Sequence, residues 1–187
     1  MRVISGRAKG CKLYSLEGIA TRPTLDRVKE SLFNIIHDKI LNSCVLDLFS
    51  GSGSLGIECI SRGSKKVVFC DKSFEAIKII KRNLEKTKFE KEAFIINKDY
   101  LEALKQLKDQ NVEFDLIFVD PPYETDYARI AVEEIIKLSL IKQNGLMIIE
   151  TDDEQKVSEE LADIENINIY DLRKYGRIKL IFINRKG

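Results

Sequence analysis

The stretch Asp120-Pro121-Pro122-Tyr123 places a carboxylate, a rigid turn and an aromatic ring in four consecutive residues. The apolar run before it predicts a central parallel strand, and open α/β sheets bind ligands at the carboxyl ends of such strands. Because neither proline carries an N–H, the turn presents carbonyl oxygens and few donors. Asp120 and the Pro121 carbonyl would each accept one hydrogen from an exocyclic amine, while Tyr123 stacks on its ring. The pattern predicts methyl transfer to nitrogen, with an ordinary aspartate turn as the alternative interpretation.

A glycine-rich loop is the second feature that could hold a ligand. Gly51, Gly53 and Gly56 form G-x-G-x-x-G between an apolar strand and an amphipathic helix, and Ser50 and Ser52 fill the adjoining positions. Such a loop lets ligand atoms approach the backbone closely. The spacing alone does not distinguish a dinucleotide from another nucleotide-like cofactor.

Three carboxylates narrow the choice of cofactor. Asp71 follows the second predicted strand, 20 residues past Gly51, where an acid can bind both hydroxyls of a ribose. Asp47 lies inside the first strand, where it would repel a pyrophosphate but favour the ammonium and sulfonium of S-adenosylmethionine. Its alternative role is to cap the loop amides. Asp99 is either an acceptor for the adenine amino group or a plain helix N-cap.

Alternating strand and helix patterns predict the fold class. They indicate a doubly wound, Rossmann-like α/β fold with a seven-stranded sheet, mostly parallel and closed by an antiparallel hairpin that turns at Gly176. We expect residues 1–22 to form a basic β-hairpin arm and residues 23–187 to form the domain that carries the site. A chain of 187 residues predicts no second independent domain.

The charge is nearly balanced overall, with 31 basic and 30 acidic residues, so affinity for nucleic acid would have to come from local clusters. The first 29 residues are such a cluster. We interpret it as an arm that lies along phosphates, and an edge hairpin with solubilising charge is the alternative. The basic residues that we single out in this region are Arg2, Arg7, Lys9, Lys12 and Arg22.

Several functional classes are disfavoured by composition. Four cysteines without C-x-x-C spacing and one histidine predict no metal site. No apolar run has the length of a signal peptide or a membrane span, so we expect no membrane partner and a cytoplasmic location.

These motifs together resemble the class I S-adenosylmethionine-dependent methyltransferases, and more closely the bacterial RsmD family. The similar stretches are residues 2–6 with Gly10, residues 22–34 (RPTLDRVKESLFN) and residues 47–53 (DLFSGSG). Residues 22–34 carry the most specific part of the likeness, because the later motifs occur in many amino-methyltransferases. Many members have phenylalanine at the position of Tyr123, a difference that keeps the stacking face.

The resemblance implies an activity and a set of site residues. Members of the RsmD family methylate the N2 amine of a guanine in 16S ribosomal RNA, at position 966 in the customary numbering. We therefore expect S-adenosylmethionine as cofactor, 16S rRNA within a small-subunit particle as partner, and a monomer. The implied residues bind cofactor (Asp47, Phe49, Ser50, Gly51, Ser52, Gly53, Asp71, Lys72, Asp99, Tyr100), the target amine (Asp120, Pro121, Pro122, Tyr123) or RNA (Arg2, Arg7, Lys9, Lys12, Arg22, Thr24).

Other functions stay open at the level of sequence. A DNA amino-methyltransferase acting on adenine N6 or cytosine N4 would use the same proline turn, but it needs a target-recognition region that this chain is too short to hold. A protein-glutamine methyltransferase fits less well with the basic arm. A non-catalytic RNA or nucleotide-binding module is also compatible with the fold.

Overall fold

A computed structural model describes residues 1–16, 23–122 and 126–186, without the side chains of residues 23–25. None of the helices in these ranges is long and apolar enough to cross a membrane. The helices are α1 (Pro23–Ile35), α2 (Ser54–Ser61), α3 (Phe74–Thr87), α4 (Tyr100–Asp109), α5 (Tyr127–Lys137) and α6 (Glu154–Ala162). The strands are β1 (Cys44–Asp47), β2 (Lys66–Cys70), β3 (Ala93–Ile96), β4 (Phe114–Val119), β5 (Ile141–Thr151), β6 (Ile167–Tyr175) and β7 (Ile178–Arg185).

The strands form one seven-stranded sheet in the order β3-β2-β1-β4-β5-β7-β6. The first five strands in that order are parallel, whereas β7 runs antiparallel to both β5 and β6. This arrangement confirms the predicted fold class. The strand order reverses between β1 and β4, and the crevice at such a point is where doubly wound sheets bind ligands.

Apolar side chains cover both faces of the sheet. On one face, α1, α2 and α3 pack on residues such as Phe69 and Phe118, and Val3 and Leu13 of the N-terminal segment join the same cluster. On the other face, α4, α5 and α6 pack on residues such as Ile117 and Ile149. Burial on both sides explains why the parallel strands are continuous apolar runs.

The glycine loop is shaped by close packing as well as by backbone conformation. Gly53 caps α2 with a φ of 77°, a left-handed conformation that side chains disfavour. A Cβ added to Gly56 would lie 2.3 Å from the Phe69 ring, so glycine is required for α2 to lie against β2. The third glycine of the motif therefore serves helix-to-strand packing.

The N-terminal segment forms the predicted small hairpin, but in a shorter form than two full strands. Arg2 and Lys12 make an antiparallel bridge, and the amides of Val3 and Leu13 donate to the carbonyls of Cys11 and Met1 at 2.9 and 3.0 Å. Beyond this pairing, the amides of Ile4 and Ser5 donate to the Glu58 carboxylate, at 2.8 and 2.9 Å. The pairing stays short because α2 takes these donors. The predicted division at residue 22 stays a prediction, since residues 17–22 lie outside the described ranges.

Glu58 holds the N-terminal segment against the domain. Its fully buried carboxylate also pairs with Lys29 at 3.1 Å and with Arg62 at 2.8 Å. Lys29 in turn donates to the Arg2 carbonyl at 3.0 Å and to Ser54 at 2.9 Å. Such a buried charge is tolerated because several donors surround it. The arm, α1 and the start of α2 are thus joined by one polar cluster.

Candidate active site

A cavity of about 490 Å³ opens at the carboxyl ends of the parallel strands. Its wall includes the ends of β1 to β5, the glycine loop and parts of α1 and the N-terminal segment. A volume of this size suits a nucleotide-sized ligand. The position agrees with the crevice expected where the strand order reverses.

The acidic proline turn forms one side of this cavity. Asp120, Pro121 and Pro122 all line it, directly after β4. Burial raises the pKa of Asp120 well above its usual range, and the nearby carboxylates of Glu150 and Asp47 raise it further. A carboxylate in this state accepts a proton more readily than one in water. Tyr123 lies outside the described residues, so its predicted stacking role stays a prediction.

Asp47 lies at the floor of the cavity with 2% of its surface exposed. One oxygen accepts a hydrogen bond from the Gly56 amide at 3.0 Å, so the alternative role as a cap of the loop is observed. Burial raises the pKa of Asp47 to about 7, although this hydrogen bond acts in the opposite direction. A buried acid in this state favours a cationic ligand, since a cation would stabilise the ionised form.

Asp71 and Ser50 fix the glycine loop across two strands. The Asp71 carboxylate accepts hydrogen bonds from the amides of Gly51 and Ser73, both at 2.8 Å. The Ser50 hydroxyl accepts from the Cys70 amide at 2.9 Å and donates to the Asp47 carbonyl at 2.6 Å. Each oxygen of Asp71 keeps a further lone pair, so the carboxylate can still accept from ribose hydroxyls.

Three aromatic rings stand beside the cavity. Phe49, Tyr100 and Tyr127 contact one another, with ring centroids 5.2 to 6.4 Å apart. Asp99 precedes this group and accepts from the Leu101 amide at 3.0 Å, so it is an N-cap of α4 that also lines the cavity. Both interpretations of Asp99 are therefore compatible with its place. Aromatic surface next to an acceptor suits a planar heterocycle with an amino group.

The structure brings most of the predicted cofactor residues into one wall. Gly53 does not lie in that wall, because it packs inward toward Phe69 and Ile80 as the cap of α2. It shapes the loop without facing the ligand space. The predicted residues that line the cavity are Asp47, Phe49, Ser50, Gly51, Ser52, Asp71, Lys72, Asp99 and Tyr100.

The wall also holds residues that were not predicted as site residues, among them Met1, Lys29, Tyr127 and Glu150. Glu150 follows the same rule as Asp120, since it lies at the carboxyl end of a parallel strand, and that rule would have found it. Lys29 sits beside the apolar stripe of α1, where a lysine usually reaches solvent. The sequence did not indicate that Met1 reaches the cavity, because the contact of Met1 with Ser52 of the glycine loop joins residues that are 51 positions apart.

Two of the predicted RNA-binding arginines, Arg2 and Arg7, form ion pairs within the protein. Arg2 pairs with Asp26 at 3.2 Å, and Arg7 pairs with Glu92 at 2.7 Å. Lys9 and Lys12 are exposed. The side chain of Thr24 and the whole of Arg22 lie outside the described structure, so their roles stay predictions.

Comparison with known proteins shows the family to which the chain belongs. The sequence profile of the family described as "Conserved hypothetical protein 95" matches residues 1–184. The chain belongs to this family. Its resemblance to the RsmD family is confirmed by Ribosomal RNA small subunit methyltransferase D of Haemophilus influenzae, which is 40% identical over 153 residues. That match covers 81% of this chain and 79% of the relative.

Further RsmD-family and structural matches extend over most of the chain. The Escherichia coli K12 protein with the same name is 32% identical over 145 residues, which cover 78% of this chain and 68% of that protein. The solved structure of hypothetical protein TTHA0928 from Thermus thermophilus has a TM-score of 0.80 and 25% identity, covering 98% of this chain and 99% of that one. This structural match therefore includes the N-terminal segment as well as the sheet.

Proposed function

We propose that this chain transfers a methyl group from S-adenosylmethionine to the N2 amine of a guanine in 16S ribosomal RNA, within a small-subunit particle. The observation that carries the proposal is the single cavity shared by Asp47 and by the Asp120 turn. Two relatives are named ribosomal RNA small subunit methyltransferases, which supports ribosomal RNA as the substrate. The expected target is the guanine at position 966, and the expected active form is a monomer.

The charge of the cavity supports a cationic cofactor. Acidic side chains outnumber basic ones among the described residues of the wall, which suits a sulfonium and an ammonium better than a pyrophosphate. When bound, S-adenosylmethionine supplies an electrophilic methyl group on a positively charged sulfur. The acids are Asp47, Asp71, Asp99, Asp120 and Glu150, and the bases are Lys29, Lys72 and Lys98.

Each group of residues in the cavity wall is suited to bind one part of that cofactor. Asp47 stabilises its positive charge, and Asp71 accepts hydrogen bonds from its ribose. The rings beside Asp99 hold its adenine, and Asp99 accepts from the adenine amino group. The wall thus combines a cation site, a ribose site and an aromatic site, in a cavity of about 490 Å³.

Asp120 and Pro121 prepare the amine for reaction. The lone pair on a guanine amine is delocalised into the ring, so the nitrogen is a weak nucleophile. Two acceptors that draw its hydrogens out of the ring plane localise this lone pair. Asp120 also stabilises the positive charge that develops on nitrogen and then takes up the released proton. Positioning contributes a further part of the rate.

The target guanine must leave its stack to enter the cavity. Turning a base out costs a few kcal/mol and costs least for an unpaired nucleotide. The proline turn lies at the carboxyl end of the central strand β4 and lines the open cavity, so a base would reach Asp120 through that cavity. We therefore expect an unpaired or weakly paired guanine as the substrate.

The proposal is tested by supplying labelled S-adenosylmethionine with several acceptors. We expect label in small-subunit particles that lack the mark, followed by mapping to the N2 of one guanine. Label in duplex DNA instead would support an adenine or cytosine amino-methyltransferase. If the protein binds the cofactor but labels neither nucleic acid, the chain is a binding module and the proposal is wrong.

Lys9 and Lys12 are the exposed arm residues expected to contact RNA phosphates. Changing both to glutamine should weaken binding to 16S rRNA and lower the slope of log K against log salt by about 1.4–1.8, since each lost phosphate contact contributes about 0.7–0.9. Fluorescence anisotropy over a salt series measures this slope. Arg7 is left intact because its pairing with Glu92 at 2.7 Å helps to hold the arm in place.

A matched control replaces two exposed lysines on the opposite face of the sheet. Lys105→Gln with Lys108→Gln on α4 removes the same charge and should leave the salt slope unchanged. If both double variants change the slope equally, the arm contributes only general charge. An unchanged slope in the arm variant would show that the arm does not bind phosphates.

A further inference from the structure

We infer that Glu150 accepts a hydrogen bond from the N1–H of the target guanine, beside the N2 amine held by Asp120, and thereby makes the cavity specific for guanine. The inference rests on the proposed function, because it names the group that selects the base in that reaction. It goes beyond the proline turn, whose oxygen acceptors suit the amino group of any nucleobase.

The two acids are neighbours across two parallel strands. Val119, the last residue of β4, pairs with Ile149 of β5, and Asp120 and Glu150 are the residues that directly follow this pair. Adjacent strands lie about 4.8 Å apart, so the two backbones are one strand spacing apart at this point. Both side chains line the same cavity.

Strand alternation directs the two side chains to one face. Val119 and Ile149 pack in the cluster under α4 and α5, whereas Phe118 and Ile148 pack in the cluster on the other face. Residues two apart share a face of a strand, so Glu150 lies on the side of Ile148. That is also the side of α1, whose Lys29 lines the cavity.

The chemistry of the base edges explains why this placement selects guanine. The N2 amine of guanine lies between two ring nitrogens, N1–H, which is a donor, and N3, which is an acceptor, and we place N1–H on the side of Glu150. The ring nitrogen next to the amine of adenine is N1, and that of cytosine is N3, and both are acceptors. An ionised carboxylate only accepts hydrogen bonds. Glu150 beside Asp120 therefore accepts a hydrogen bond from N1–H of guanine. In adenine or cytosine, the same carboxylate faces the lone pair of a ring nitrogen and is repelled by it.

A base analogue separates recognition from catalysis. 2-Aminopurine carries the same N2 amine as guanine, but its N1 is an acceptor. We compare small-subunit particles that carry guanine or 2-aminopurine at the mapped position, with kcat/KM as the readout. The wild-type protein should prefer guanine. Glu150→Gln should lose about ten- to a hundred-fold on guanine and lose nothing on 2-aminopurine, because the glutamine amide can donate to N1.

Three further variants serve as controls for this comparison. Asp120→Asn should lower kcat/KM on both bases by the same factor, since both carry the amine that Asp120 holds. Glu150→Asp keeps a carboxylate and should keep the preference for guanine at a lower rate. Glu159→Gln, on the exposed side of α6, should leave both values unchanged.

The outcomes separate this inference from the proposed function. If the wild-type protein methylates guanine N2 but Glu150→Gln lowers both substrates equally, Glu150 has only a structural role and the inference is wrong while the function stands. If the wild-type protein methylates no guanine N2, both are overturned. A reversed or reduced preference in Glu150→Gln alone supports the inference.

Discussion

Replacing Asp120 by alanine is expected to lower kcat by about 10²–10⁴-fold while Kd for S-adenosylmethionine stays within about threefold of the wild-type value. The change removes the acceptor that orients the amine, the charge that stabilises the developing cation and the group that takes the proton. It leaves Asp47 and Asp71, which hold the cofactor, untouched. Single-turnover methyl transfer to small-subunit particles measures the rate, and calorimetry measures Kd.

Asp120→Asn is the matched variant, because it keeps one acceptor oxygen and removes only the negative charge. Its loss should be smaller than that of alanine. Burial and Glu150 raise the pKa of Asp120, so the wild-type rate should increase with pH as this carboxyl ionises and then reach a plateau. The asparagine variant should lack that step. Wild-type activity in Asp120→Ala would remove Asp120 from the mechanism.

Much of the fold could be predicted from local sequence patterns, because the packing of the folded protein agrees with them. The apolar run before Asp120 is β4, and the turn at Gly176 joins β6 and β7 as predicted. Parallel strands buried on both faces leave a strong signal, since nearly every residue is apolar. The N-terminal hairpin is shorter than predicted, because the amides of Ile4 and Ser5 bond to Glu58, 54 and 53 residues away, instead of extending the pairing.

The site residues that lie at the carboxyl ends of strands could be predicted from the sequence. Asp71 and Asp120 both lie at the carboxyl ends of parallel strands and both line the cavity, as the rule for doubly wound sheets requires. Glu150 obeys the same rule, but the sequence does not show that β5 lies beside β4. Strand order is a tertiary property, and only the pairing of Val119 with Ile149 makes Glu150 a neighbour of Asp120.

Lys29 shows where sequence patterns stop being informative. A helical wheel places it next to an apolar stripe, where lysine normally extends into water. The structure buries it instead against Glu58, at 3.1 Å. Burial lowers the pKa of Lys29, although Glu58 opposes this effect. A buried pair formed by residues 29 positions apart has no periodic signature, so only the fold reveals it.

Asp47→Asn is expected to weaken S-adenosylmethionine binding by about 30-fold or more, because it removes the buried charge that faces the cationic cofactor. The asparagine oxygen can still accept the hydrogen bond that the Gly56 amide donates to Asp47 at 3.0 Å, so the loop should keep its shape. Calorimetry at several pH values measures Kd. Asp109→Asn, an exposed change on α4, serves as the control.

The same substitution should stabilise the protein without ligand above neutral pH. Burial raises the pKa of Asp47 from 3.8 to about 7, so the folded state binds more protons than the unfolded state in that window. Stability therefore falls as pH rises through it, and the wild-type protein carries the full cost above about pH 7. Asparagine removes this cost, on the order of 4 kcal/mol, and should raise Tm by about 8–16 °C at pH 8.

At about pH 4 the two proteins should unfold at similar temperatures, because Asp47 is then protonated in the folded state and its unfolded carboxyl is only about half ionised, which leaves a difference of less than about 1 kcal/mol. Thermal unfolding at this pH and at about pH 8 tests the difference. Saturating S-adenosylmethionine should reduce the difference at the higher pH by about 2 kcal/mol, since about 30-fold tighter binding stabilises the wild-type protein more than the variant. A variant that binds the cofactor as tightly as the wild type would show that Asp47 only caps the glycine loop. The buried carboxylate would then have no part in selecting a cation.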